Sequence, residues 1–177
     1  AAGADPQGGA GSDPAEVART ICLQLLDRAP RTRGQLAETL RRRGVPEDAA
    51  AAALDRLAEV GLVDDRAYAA AWVSSRQAGR GLAGRALAGE LRRRGVDAEV
   101  VAEAVATIEP EAEELAARTL VARRLPALRG VPEEARRRRL VALLLRRGYP
   151  AGLAARVVGD ALGSRREAAD PDDRVAP

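Results

Sequence analysis

Histidine, lysine, methionine, phenylalanine and asparagine are all absent from the 177-residue chain, and cysteine and tryptophan occur once each. Each absence removes a class of chemistry. Without His, and with Cys22 alone, no zinc site, Ser-His-Asp triad or Cys-His dyad can be assembled, and no disulfide can close within the chain. Without Lys there is no Schiff-base chemistry and no Gly-rich phosphate loop ending in Lys, so nucleotide hydrolysis by the chain itself is not expected. No catalytic residue, metal or cofactor is expected, and the chain reads as a non-enzyme. No apolar run approaches the ~20 residues of a membrane span, and the amino terminus lacks a charged, apolar-cored signal. A cytoplasmic protein without membrane contact is the expectation.

Aromatic residues are only 2% of the chain (Tyr68, Trp72 and Tyr149), and the only isoleucines are Ile21 and Ile108. With β-formers so scarce and Ala, Leu, Arg and Glu so abundant, the core must be built of alanine and leucine, and an all-helical protein is favoured. All 29 basic residues are Arg; against 26 acids they leave a net charge of +3, with a pI near 9.9. The excess of Ala, Arg, Gly and Pro also fits high-GC coding bias. Basicity alone is therefore weak ground for a nucleic-acid partner.

Residues 1–12 are Gly-rich and small, residues 163–177 are polar without an apolar period, and both read as flexible tails. Between them the chain repeats itself. Leu40-Arg41-Arg42-Arg43-Gly44-Val45 returns as Leu91-Arg92-Arg93-Arg94-Gly95-Val96, and less closely as Leu144-Leu145-Arg146-Arg147-Gly148-Tyr149. Leucines stand eight and four residues before each glycine (Leu36 and Leu40, Leu87 and Leu91, Leu140 and Leu144), on one helix face. Ten residues after it come Leu54, Val105 and Val158, which start the count of a second apolar helix.

Three helices per copy are expected. In the first, Asp13 with Pro14 opens a helix to about Arg28, with Val17, Ile21 and Leu25 inward. Thr32 and Gln35 form a capping box for a helix ending at Gly44, and Pro46 begins the third. In the second, Asp64 caps a helix broken by Gly79 and Gly81, Leu82 to Arg94 form the next, and Asp97 caps the last. Pro110, Pro132 and Pro150 begin the three helices of the third copy. The predicted architecture is all-α: nine helices in three tandem three-helix repeats (13–60, 61–109 and 110–162), elongated and curved. Tyr68 and Trp72, one turn apart, are expected in the core of the second repeat. Asp64 and Asp65 read as helix-capping residues and Cys22 as a small core residue.

The stretch Gly61-Leu62-Val63-Asp64-Asp65-Arg66-Ala67-Tyr68-Ala69, then Trp72-Val73, Ser75-Arg76 and Glu90-Leu91-Arg92-Arg93-Arg94-Gly95-Val96, resembles the central signature of the bacterial RecX regulatory family. Arg139-Leu140 through Leu144-Leu145-Arg146-Arg147-Gly148-Tyr149-Pro150 is similar to that family's carboxy-terminal repeat. Leu82-Ala83-Gly84 stands where many members carry a Pro-containing turn. The resemblance implies a regulator that binds the RecA recombinase, chiefly as its filament on single-stranded DNA, and damps its ATP hydrolysis and strand exchange. It places the chain in DNA repair, homologous recombination and the SOS response.

Charge is sorted by helix. Residues 28–43 carry six Arg against Glu38, and 76–94 carry six against Glu90; 47–65 and 97–114 are acidic; 118–147 carry ten Arg against Glu133 and Glu134. Arginines in a last helical turn before a glycine complement the helix dipole with no partner needed. Arg136 to Arg139 lie near a helix start, where that account fails, and read as partner-facing. The candidate partner or DNA-backbone contacts are Arg41, Arg42, Arg43, Arg76, Arg80, Arg85, Arg92, Arg93, Arg94, Arg136, Arg137, Arg138, Arg139, Arg146 and Arg147. With three aromatics in all, any single-stranded DNA contact is to the backbone, without base readout. A tandem helix-turn-helix DNA-binding protein and a helical-repeat scaffold for an acidic protein remain alternatives. Against the former, the basic residues end the middle helices and do not run along the third ones. The chain is expected to be monomeric.

If the repeats are strung out, the radius of gyration measured by X-ray scattering will clearly exceed the roughly 16 Å of a compact domain of this length. A value at or below that figure rules out the elongated arrangement.

Overall fold

The computed structural model describes residues 13–169. Among them are nine α-helices, one 3-10 turn and no strand. The helices are α1 (Pro14–Leu26), α2 (Arg33–Arg42), α3 (Glu47–Glu59), α4 (Asp65–Arg80), α5 (Gly84–Arg93), α6 (Ala98–Ala106), α7 (Pro110–Arg124), α8 (Glu133–Arg146) and α9 (Ala151–Ala169), and the 3-10 turn is Leu125–Leu128. The helix count and class agree with the sequence pattern. The chain divides into two compact units, the first ending at Tyr68 and including Arg94–Val96, the second holding Ala69–Arg93 and the chain from Asp97.

Local chemistry sets most helix starts. Asp13 accepts from Ala15 N at 3.1 Å with Pro14 behind it; Asp64 accepts from Ala67 N at 2.9 Å, and Asp97 from Glu99 N at 2.8 Å. Thr32 and Gln35 close the capping box from both sides. Pro46 and Pro132 stand one position earlier than expected, as N-cap residues. All six leucines of the aligned pairs are 0% exposed.

In the first unit, Leu36 and Leu40 of α2 meet Ala50, Ala53, Leu54 and Leu57 of α3, with α1 laid across α3. The centre of the α1 contact is Ala18 and Cys22, both 0% exposed; Ile21 and Leu25 pack partly buried beside them as expected, and of the expected line only Val17 is exposed. Two small residues let α1 approach the alanine face of α3 closely, leaving the larger side chains to flank the contact. Burial pushes the Cys22 thiol up, which makes it a poor nucleophile. In the second unit, α7, α8 and α9 enclose Val121, Leu125, Leu140, Leu144, Val157 and Val158.

Several expectations need correction. The helix α4 runs through Gly79 to Arg80 and stops only at Gly81, where φ is 55°. Exposed on a helix surface, Gly79 meets nothing within 4 Å and is simply carried along. The start of α5 is Gly84, not Leu82, because bonds from afar fix it: Ala83 N donates to Arg147 O at 3.0 Å and Gly84 N to Glu113 Oε1 at 2.8 Å. Tyr68 and Trp72 are half-buried, and Ala69 and Val73 take the core positions beside them. The reason is polar: the Tyr68 hydroxyl accepts from Arg94 Nη1 at 3.3 Å, and the Trp72 indole N–H donates to Glu90 Oε2 at 2.9 Å. At the carboxy end α9 continues to Ala169, into the stretch from 163 read as a tail. Arg, Glu and Ala there are strong helix formers and propagate a helix already anchored by Leu162. The tail expected at 1–12, and the part of the other beyond 169, lie outside the described residues.

A recurring joint organises the helices. Thr32, the N-cap of α2, donates its hydroxyl to the carbonyl of Arg94, and Ala83, just before α5, donates its N–H to the carbonyl of Arg147. The glycine after each of those arginines is packed hard: a Cβ on Gly95 would lie 2.9 Å from Gly34 Cα, and one on Gly148 would lie 2.7 Å from Ala86 Cβ. In the first copy, by contrast, a Cβ on Gly44 meets nothing within 4 Å. A carboxylate from the next repeat completes each joint, Asp65 accepting from Arg33 N at 2.8 Å as Glu113 does from Gly84.

Gly44 and Gly95 have nearly the same φ, 75° and 76°. Gly44→Ala is therefore expected to destabilise by only the left-handed backbone term, about 1–2 kcal/mol. Gly95→Ala adds a backbone clash of a further ~1–3 kcal/mol. Calorimetric melting of the two variants checks the order; equal losses would mean the joint yields.

Candidate binding furrow

Among the described residues, arginines without an acid partner gather on the second unit, between α7 and α8. A groove of about 610 Å³ runs between them, lined by Arg123, Arg124, Arg138, Arg139, Arg146 and Arg147 with no carboxylate among the lining residues. A second groove, about 850 Å³, continues along α7 and shares Leu120, Arg123, Arg146 and Arg147 with the first. Arg80 lines this second part, where the one acid is Glu90, already bonded to Trp72.

Helix register builds the furrow. On α8, Leu140 and Leu144 face the core, so Ala135, Arg138, Ala142 and Arg146 share another face and Arg139 and Leu143 border it. On α7, Ala117 and Val121 point inward while Leu120, Arg123 and Arg124 turn to the groove. One wall is pinned by the corner after α8. Arg147 Nη1 donates to the carbonyl of Arg80, and the buried Tyr149 hydroxyl donates to Gly81 O at 3.0 Å. Elsewhere on these helices acids do find bases: Glu114 pairs with Arg118 and with Arg156 at 2.7 Å, which holds its carboxyl below the usual range. Among the described residues no ion pair joins Arg123, Arg124, Arg138, Arg139 or Arg146.

Of the fifteen arginines expected from the sequence, Arg80, Arg138, Arg139, Arg146 and Arg147 come together here. Arg136 turns half inward with a buried Nε that has no hydrogen-bond partner, and Arg137 is exposed. Arg76 stacks on the Trp72 ring at 4.2 Å. Arg85, Arg92 and Arg93 are exposed outside both grooves, and Arg94 is spent on Tyr68. In the first unit Arg41 grips Glu38 through two nitrogens at 2.8 and 3.0 Å, with Arg42 nearby and Arg43 as helix cap. Arg123 and Arg124 were not singled out by sequence, since they end a helix like the others. Only the pairing of α7 with α8 distinguishes them.

A family model described as the first three-helix domain of RecX matches residues 18–57, and one described as the second three-helix domain of RecX matches 64–105. A protein of Thermobifida fusca named regulatory protein RecX is 60% identical over 145 residues, covering 82% of this chain and 78% of that protein. The chain belongs to the RecX family. A relative of the same name from Streptomyces coelicolor is 55% identical, over 88% of this chain and 82% of its own. The crystal structure of RecX from Lactobacillus salivarius superposes with a TM-score of 0.77 over 84% of this chain and 97% of that one. At 17% identity it supports the fold. Members of the RecX family named regulatory proteins are thus the relatives of this chain, and among its described residues no helix is long and apolar enough to cross a membrane.

Burial, with the nearby Glu113 charge, pushes the Tyr149 phenol from its ordinary 10.0 to about 12. The unfolded chain ionises first, so the stability from this group is whole below about pH 10 and is lost between there and about pH 12, at most roughly 3 kcal/mol. In Tyr68→Phe, where Tyr149 is the only phenol, the native tyrosinate absorbance should rise with a midpoint near 12. A midpoint at the ordinary value would show that the corner is open to solvent.

Proposed function

We propose that this RecX-family chain binds the RecA recombinase as its filament on single-stranded DNA and damps ATP hydrolysis and strand exchange. It acts as a cytoplasmic monomer through contact and without catalysis of its own. Its working body is three tandem three-helix repeats, 13–60, 61–109 and 110–162. The observation that carries the reading, beside the regulatory family, is the furrow: arginine forks suit carboxylates and phosphates, and these are left without acids while others on the same helices are paired. Arg41 to Arg43 in the first unit, and Arg92 and Arg93 in the second, are exposed and are further candidate contacts.

The test is inhibition of the host recombinase's ATPase on single-stranded DNA. Wild type should inhibit, and Arg138→Gln with Arg139→Gln should raise the half-inhibitory concentration about tenfold or more, the loss of one to two charge-assisted contacts. Gln keeps helix propensity, so the melting temperature should hardly move. Arg92→Gln with Arg93→Gln, in a last helical turn, should instead lose about 0.3–1 kcal/mol of dipole stabilisation per residue. No inhibition by wild type overturns the proposal.

A further inference from the structure

We propose that the α7–α8 furrow is a docking groove for an acidic, amphipathic helix of a protein partner, and not a track for nucleic acid. The identity of that partner as part of the filament rests on the proposed function; the groove's preference does not.

The floor is the first reason. The helix α7 has two apolar faces: Ala117 and Val121 enter the core, while Ala112, Leu115, Ala116 and Leu120 face the furrow. Leu115 is 64% exposed. Leu143, partly exposed, extends this floor at the other end, where the buried Leu128 of the core backs it. A contiguous apolar floor bounded by charge marks a protein-binding surface more than a lone exposed leucine does. Its length fits a helix, because Ala112 to Arg124 of α7 spans about 18 Å at roughly 1.5 Å per residue, just over three turns.

Charge is the second. Arg80, Arg123, Arg138, Arg139 and Arg146 stand along the sides of that floor, so its complement is a leucine stripe flanked by carboxylates. A single strand of DNA would match the arginines and leave the leucines uncovered. It also needs stacking platforms, and neither groove is lined by an aromatic residue. The nearest candidates are taken, Trp72 by the Arg76 guanidinium and Tyr149 by its bond to Gly81.

Trp72 is the chain's only tryptophan, and its partner Glu90 lines the furrow, so its fluorescence reports occupancy. The probes are a synthetic peptide of about 16 residues with leucines at helical i, i+3/i+4, i+7 spacing and flanking glutamates, a scrambled peptide of the same composition, and oligothymidylate. The patterned peptide should bind saturably, at least about tenfold tighter than the scrambled one, and compete with the filament. Leu115→Gln, at an exposed position, should keep the wild-type melting temperature and weaken peptide and filament binding each about tenfold. Equal binding of both peptides, an unaffected Leu115→Gln variant, or displacement of the peptide by oligothymidylate would overturn the inference. So would self-association that Leu115→Gln abolishes, which would assign the groove to a second copy. If wild type and Leu115→Gln bind the filament equally, the inference falls and the proposed function stands. If wild type binds the patterned peptide but not the filament, the proposed function falls and the groove stands.

Discussion

The rest of the structure depends on one corner, the left-handed glycine that ends a middle helix. At Gly44 and Gly148 it forms the same pair of bonds: the following residue donates back to the buried leucine (Val45 to Leu40 O, Tyr149 to Leu144 O, each 3.1 Å), and the glycine itself to the residue after that leucine. The corner closes the helix and directs the chain into the next one. Because the leucine four residues before the glycine must face the core, the positions between them point to solvent, which is why arginines collect there. From the second copy on, the corner is also a joint, its preceding carbonyl taken by the start of the previous middle helix. Core, connection and charge placement follow from one local motif used three times.

That motif explains what could be read without coordinates. Leucine pairs, glycine corners and side-chain caps are properties of neighbours within a turn or two, and sequence displays them. The start of α5 escaped because Glu113 and Arg147 set it from 29 residues and more away. Trp72 and Tyr68 escaped because a polar partner for each ring edge drew it to the surface, against the apolar tendency of the ring. On α1 only Val17 departs from the expected inward line, for a packing reason: against the alanines of α3, a small residue such as Ala18 buries better than valine does. The basic surface was legible as composition by helix, but the furrow was not, since it needs α7 and α8 side by side.

Arginine abundance by itself distinguishes nothing here, because coding bias and helix capping both supply it. Pairing does. Arg19, Arg33, Arg41, Arg56, Arg118 and Arg156 each reach a carboxylate within 3.3 Å or are held by one on the next turn. A chain with almost as many acids as bases has partners available for nearly all of them. Lining one groove with six guanidinium groups and no acid is then a net repulsion that folding alone does not select. Such a cluster lowers stability slightly in the free protein and is relieved by a complementary surface. The same helix pair leaves leucines uncovered on the groove floor, a second cost removed by the same event. Two independent penalties, one electrostatic and one apolar, converge on a single strip of α7, and one bound segment with both characters offsets both.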